Sequence, residues 1–255
     1  MFPKSLLLIG YGKMGSALCA AWIKAGMKES AIVIVDADAG KKSLEAVDFI
    51  PECIVLAVKP QSMDALLPTL KNKFGETPLY ISIAAGKTIA YFEQTLGDAT
   101  IIRVMPNTPA LIGKGISAII GNKKARDSEI QTASTLFKAA GEVVMLKDEK
   151  QMDAVTAISG SGPAYVFLFL ESLIEAGIAQ GLDEATAKKL AIETLIGSAE
   201  LAKSSSESLT TLRANVTSKG GTTEAALNVL MKDSRLKSLF NDAVAAAVKR
   251  AKELG

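Results

Sequence analysis

The chain has 255 residues, 49% apolar and 22% charged, enough to bury one large core or two smaller ones. Lysine and arginine number 29 against 27 acidic residues, a balance that leaves no electrostatic footprint for nucleic acid or an anionic membrane. Histidine is absent, which excludes a Ser-His-Asp triad, a histidine general base and every histidine-based metal site.

The opening Met-Phe-Pro-Lys-Ser leads straight into an apolar strand at 5–10, without the small-residue cleavage site of a signal peptide. Further strands read at 32–36, 53–58, 78–83, 100–104, 116–120 and 142–145, and helices at 14–24, 61–72, 89–96 and 126–140. Apolar strands that alternate with helices predict a parallel α/β sheet. Beyond Lys150 no strand is evident. Helical periodicity runs through 148–158, 163–180, 183–204, 209–214, 222–231 and 236–254. The change from α/β to all-α divides the chain into residues 1–150 and 151–255. The densest apolar run, 164–170, is far shorter than the eighteen or so residues of a spanning helix. Cys19 and Cys53 lie in apolar surroundings and read as small core residues. These features together predict a cytoplasmic protein.

Two stretches carry chemistry. Near the N-terminus, Gly10-Tyr-Gly-Lys-Met-Gly15 follows an apolar strand and opens a helix. That context turns a common glycine pattern into a dinucleotide signal: Gly10 for the tight turn, Gly12 for the approach of pyrophosphate, Gly15 for helix–strand packing. The fold class is therefore a Rossmann-type doubly wound sheet followed by an all-α domain. Asp36 ends the second strand, where an acid bonds ribose hydroxyls and favours NAD over NADP. At 5 Å and an effective dielectric near 20 it would repel a unit of phosphate charge by roughly 3 kcal/mol. Lys41 and Lys42 are close enough in sequence to offset this, so the cofactor is NADPH or NADH. Near the C-terminus, Ser218-Lys-Gly-Gly-Thr-Thr223 stops an irregular segment and starts an amphipathic helix. Free N–H groups, the dipole and three hydroxyls make this an anion cradle for a small carboxylate.

Several motifs in order resemble pyrroline-5-carboxylate reductase. They are Gly10–Gly15, Ala57-Val-Lys-Pro-Gln61, Ser82-Ile-Ala-Ala-Gly86, Arg103-Val-Met-Pro-Asn-Thr-Pro-Ala110, Ser159-Gly-Ser-Gly-Pro-Ala-Tyr165 and Val216-Thr-Ser-Lys-Gly-Gly-Thr-Thr-Glu-Ala226. The resemblance covers nearly the whole chain, and its last two motifs are the most specific. It implies reduction of 1-pyrroline-5-carboxylate to L-proline. Gly10, Gly12, Lys13, Met14, Gly15 and Asp36 would hold the dinucleotide, with Val58, Lys59 and Pro60 beside its ribose and phosphates. Ala84, Ala85 and the Met105–Pro109 segment, with Asn107, would line the nicotinamide side. Gly220, Gly221, Thr222 and Thr223 would hold the substrate carboxylate. Thr223 would be the catalytic hydroxyl near the imine nitrogen and Ser218 its support. The family also has a glutamate upstream, for which Glu207 is the candidate. No metal is implied. An interlocked homodimer or larger ring with shared active sites is implied, and the apolar circumference of the helix at 163–178 agrees with it.

The chemistry needs no histidine. The imine nitrogen can arrive protonated or take its proton from water, so the enzyme's task is alignment, worth about 7–11 kcal/mol. Two departures from the family stand out. Only sixteen residues separate Asp36 from Cys53, where the family has a further helix and strand, so the sheet should be short on the adenine side. Ser43 is the one candidate there for a missing adenosine contact. Lys219 stands where proline is common. Two other readings are a related imine or 2-hydroxyacid reductase, which would need Lys188 or Lys189 as acid, and a dinucleotide-binding regulator without turnover.

Overall fold

The computed structural model describes residues 1–36 and 38–253. Among them seven strands form one sheet: β1 (Leu6–Ile9), β2 (Ile32–Val35), β3 (Cys53–Leu56), β4 (Leu79–Ser82), β5 (Thr100–Met105), β6 (Gly115–Gly121) and β7 (Gly141–Met145). Their order is β2-β1-β3-β4-β5-β6-β7. Strands β1 to β5 are mutually parallel, whereas β6 runs antiparallel to β5 and parallel to β7. The sheet is thus mixed, which corrects the parallel sheet expected from the alternation of strands and helices. Only residues 106–114 join β5 to β6, too few for a parallel crossover of a dozen or more.

Alternate residues of each central strand feed two cores. Leu6, Leu8, Cys53, Val55 and Ile81 face α1 (Lys13–Lys24) and α4 (Asp127–Lys138) through Leu18, Trp22, Leu136 and Phe137. Leu7, Ile9, Ile54, Leu56 and Tyr80 face α2 (Met63–Phe74) and α3 (Ile89–Leu96) through Leu67, Phe74, Phe92 and Leu96. Both faces are covered, which is why these strands read as unbroken apolar runs. Trp22 is fully buried, and its indole N–H donates to the Leu136 carbonyl at 2.9 Å. Cys19 and Cys53 are buried and unpaired. Burial pushes both thiols up from the ordinary value.

The adenine-side edge is as short as the sequence implied. Outside β1 lies only β2. Between β2 and β3, the described residues hold a single 3₁₀ turn, Leu44–Ala46, and one parallel bridge from Val35 to Lys42.

The chain divides into two compact units, Met1–Pro163 with the segment from Ala246, and Ala164–Ala245. A 3₁₀ turn (Glu149–Gln151) leads through α5 (Met152–Val155) and a π-helical turn (Thr156–Gly160) into α6 (Gly162–Ala179). Then come α7 (Glu184–Ser204), α8 (Leu209–Asn215), α9 (Thr222–Met231) and α10 (Arg235–Glu253). The expected end of the last helix at Leu254 lies outside the described residues. No residue of α6 is buried within the chain, and Phe167, Leu168 and Phe169 are more than half exposed. The helical stretch Glu149–Ala179 is long and apolar enough, by length and composition, to cross a membrane. It meets that test on average hydropathy, while its longest unbroken apolar run stays far below eighteen residues. Scattered small and polar residues interrupt the run without lowering its average hydropathy enough to matter.

Candidate active site

The parallel strands β1, β3, β4 and β5 end on one edge of the sheet. That edge carries Gly10–Gly15, Ala57–Pro60, Ile83–Gly86 and Met105–Pro109 in spatial order. The chain leaves β1 for β2 on one side and returns to β3 on the other. The crevice at such a reversal is where doubly wound sheets bind ligands.

The three glycines of the first cradle play separate parts. Gly10 has φ +99°, and a Cβ there would lie 2.6 Å from the Ala57 carbonyl. A Cβ on Gly15 would lie 2.2 Å from the Gly10 carbonyl oxygen. Both close approaches belong to the protein itself. Gly12 differs: nothing lies within 4 Å of where its Cβ would be. Gly12 caps α1 without a side-chain hydrogen bond, and the first turn of α1 carries no acid. The N–H groups of Gly12, Lys13 and Met14 have no partner among the described residues. Open space in front of unpaired donors at a positive helix end fits a dinucleotide pyrophosphate.

Asp36 stands at the end of β2, as expected, but both of its carboxylate oxygens already accept backbone donors. One takes the Tyr11 N–H at 2.5 Å and the other the Ala39 N–H at 3.0 Å. These bonds, the Tyr11 one foremost, hold its carboxyl below the usual range. Asp36 therefore clasps the glycine turn to the end of β2, a role that strand-end position alone did not reveal. The Lys41 ammonium lies over the Tyr11 ring, 4.9 Å from its centroid. It lines a groove of about 440 Å³ with Lys42, Gly40 and Ile23.

Val58 and Pro60 are half-buried and Lys59 is exposed at the turn after β3. Ala84 is buried and Ala85 half-buried after β4. After β5, the Asn107 side-chain oxygen accepts the Ile116 N–H at 2.9 Å, which fixes the amide and leaves its NH₂ as the available group. The π-helical turn packs against the same segment: a Cβ on Gly160 would lie 3.8 Å from the Met105 sulfur. The Ser159–Tyr165 motif is thus tied to the wall after β5 at its first residues, which periodicity did not foretell. Such π turns recur at functional sites.

In the helical unit, Gly220 has φ +73° and Gly221 caps α9. A Cβ on Gly221 would lie 2.4 Å from the Ser218 hydroxyl oxygen, so Gly221 lets Ser218 close under the turn. The Glu224 carboxylate accepts the Gly220 N–H at 2.7 Å and steadies the loop. The N–H groups of Thr222 and Thr223 and both hydroxyls have no partner among the described residues. Thr222 is exposed and Thr223 half-buried. Glu207 accepts the Asn215 side-chain N–H at 3.1 Å, at the entrance to the loop. The second cradle is therefore a formed turn with four unengaged donors. Among the described residues no cluster of acids and cysteines could hold a metal ion.

Comparison with known proteins decides the family. The family model for pyrroline-5-carboxylate reductase dimerisation matches residues 149–254, and one for NADP oxidoreductase, coenzyme F420-dependent, matches 5–86. A pyrroline-5-carboxylate reductase from Pseudomonas aeruginosa is 36% identical over 100% of this chain and 98% of its own. The chain belongs to the pyrroline-5-carboxylate reductase family. The Synechocystis reductase is 44% identical over 81% of this chain and 76% of its own. The crystal structure of the Plasmodium falciparum reductase, with NADP bound, has a TM-score of 0.87 at 33% identity and covers 100% of this chain and 99% of that one. As a member of this family the chain is an NAD(P)H-dependent oxidoreductase that reduces 1-pyrroline-5-carboxylate to L-proline.

Proposed function

We propose that this chain carries out that reduction, the last step of proline synthesis, with the dinucleotide on the β1–α1 cradle and the substrate carboxylate on the start of α9. The observation that carries this reading is the α9 turn, where two N–H groups and two threonine hydroxyls stand unengaged beside Gly220 and Gly221. Any helix start leaves its first N–H groups free; here two threonine hydroxyls join them at a turn that Gly220 and Gly221 keep open to an incoming anion. When bound, the nicotinamide supplies the hydride. The protein's residues do the rest by placement. Gly12, Lys13 and Met14 present N–H groups to the pyrophosphate. Val58, Lys59 and Pro60 flank the ribose and phosphates. Ala84, Ala85 and the Asn107 NH₂ shape the nicotinamide side. Thr222 and Thr223 grip the carboxylate, and the Thr223 hydroxyl steadies the nitrogen as its charge changes, with Ser218 beneath. The imine carbon gains a hydride and the nitrogen ends with a proton from solvent, so no protein acid is needed. The active form is a homo-oligomer in which one copy's α/β unit and another copy's helices complete each site.

The test is oxidation of NADH and NADPH by the purified protein with 1-pyrroline-5-carboxylate, measured side by side. Turnover with at least one cofactor, saturable in the imine, is expected. A folded protein that binds cofactor yet oxidises neither in the presence of the imine overturns the reading.

A further inference from the structure

Arg103 is the one charged residue inside the central strands, and it is 5% exposed. Its guanidinium is paired with Glu149, on the 3₁₀ turn that leaves the α/β unit. The same carboxylate oxygen, Oε1, accepts the Ile89 N–H at 2.7 Å. Ile89 is the first residue of α3, and the loop before it carries Ala84, Ala85 and Gly86. Arg103 lies two residues before Met105, where β5 gives way to the Met105–Pro109 wall. One oxygen therefore ties together three segments: the end of β5, the turn after β4 and the entrance to the helical half. A cavity of about 270 Å³, lined by Gly86, Thr88, Arg103, Glu149 and Asp153, lies against this junction.

We infer that Glu149 and Arg103 are positioning residues for hydride transfer. They set the spacing of the two walls between which the nicotinamide ring is held. The inference rests on the proposed placement of the nicotinamide against Ala84–Ala85 and Met105–Pro109. A buried guanidinium is a costly tenant of an apolar strand unless its partner is fixed. The carboxylate's second bond, to a helix N–H rather than to another side chain, gives the pair a mechanical consequence: it locks a loop and not merely a charge. The adenosine and pyrophosphate half of the cofactor is held elsewhere. Loosening this junction should therefore spare affinity and harm alignment, and misplacement by a fraction of an ångström is enough to slow a transfer that depends on orientation.

The experiment compares the full-length parent with Glu149→Ala, Glu149→Asp and Glu149→Gln. NADPH binding is followed by fluorescence titration without imine, and turnover is followed with NADPH and with its 4-deuterated form. For Glu149→Ala, kcat should fall at least about tenfold and the deuterium isotope effect on kcat should rise, while the NADPH Kd stays within about threefold. Glu149→Gln keeps an acceptor oxygen in place and should recover most of kcat. If the alanine variant does not fold, Glu149→Asp, one methylene too short to reach both donors, is read in its place and should show the same split. A kcat within about twofold of the parent, or losses in Kd and kcat of equal size that glutamine does not rescue, overturns the inference. The titration needs no imine and the parent is assayed alongside, so an error in the substrate assignment would show as an inactive parent and stay distinct from failure of the junction.

Discussion

Gly12 and Thr223 are the residues on which the two anion cradles turn, and each is testable alone. A valine at position 12 would push its side chain into the one open space in the glycine turn, directly in front of the unpaired donors. Its neighbours Gly10 and Gly15 cannot serve as the probe, because any Cβ there would collide with the protein's own backbone. We expect Gly12→Val to abolish dinucleotide binding while the melting temperature changes little, read by fluorescence titration with NADPH and NADH. Affinity within about threefold of the parent would show that the pyrophosphate lies elsewhere. Thr223→Ala removes a hydroxyl that makes no hydrogen bond within the described chain, so stability should barely change. Turnover should fall at least about tenfold, with cofactor affinity intact; losing one preorganised donor typically costs roughly a hundredfold or more. Steady-state kinetics beside a thermal melt would separate the two effects, and an unchanged kcat would remove Thr223 from the mechanism. Both residues stood out in the sequence, because glycines and hydroxyls are denser at these two helix starts than a cap requires. The Arg103–Glu149 pair did not. Nothing in the spacing of residues 46 apart says that they meet, and the arginine reads as one polar interruption of an apolar strand.

Among the elements, the extent of strands and helices followed closely from periodicity, whereas their direction did not. An apolar strand looks the same read either way, so the reversal at β6 is visible only in the nine-residue length of its connection. The π turn was hidden for a similar reason, since Ser159-Gly-Ser-Gly satisfies a loop or a helix start equally well. The short adenine-side edge was legible as a missing length of chain. What holds that edge was not: the end of β2 is tied to the glycine turn through Asp36. That clasp makes a pH prediction. The folded pKa of Asp36 is depressed, so its contribution is fully present above the unfolded value, near 3.9, and is lost as pH falls through the lower folded value. Replacing it by asparagine weakens one accepted bond and abolishes the other, because the amide NH₂ cannot accept a backbone N–H. We expect Asp36→Asn to lower stability by about 1 kcal/mol, a partly solvated carboxylate's share of two charge-assisted hydrogen bonds. The deficit should be constant from neutral pH down to about 5 and should shrink below about 4, as the parent itself loses the charge. Thermal melts of both proteins across that range would check it. A deficit that grows toward acid would mean that Asp36 acts through some other group.

For the whole molecule, the decisive fact is the state of α6 within a single chain. An 18-residue helix with Val166, Phe167, Leu168, Phe169, Leu173 and Ile178 all exposed is not finished as a monomer. Each such side chain gains roughly 1.5–3 kcal/mol on full burial, and a continuous patch left in water would drive aggregation. A lipid bilayer would satisfy the same residues by length and composition alone, and the family match argues for the other cover, because residues 149–254 fit a dimerisation domain. The face should therefore be covered by a second copy of the chain. We expect sedimentation at micromolar concentration, in buffer without detergent, to give a dimer or larger closed species and no monomer. Phe167→Glu, which sets a charge in the middle of that patch, should shift the distribution toward monomer or aggregate and reduce turnover in step. NADPH binding should persist, since the glycine cradle lies in the other unit and is complete within one chain. A soluble monomer with full activity would contradict both the covered helix and the shared site. A protein that stays dispersed only in detergent would move the cover of α6 from a second copy to lipid.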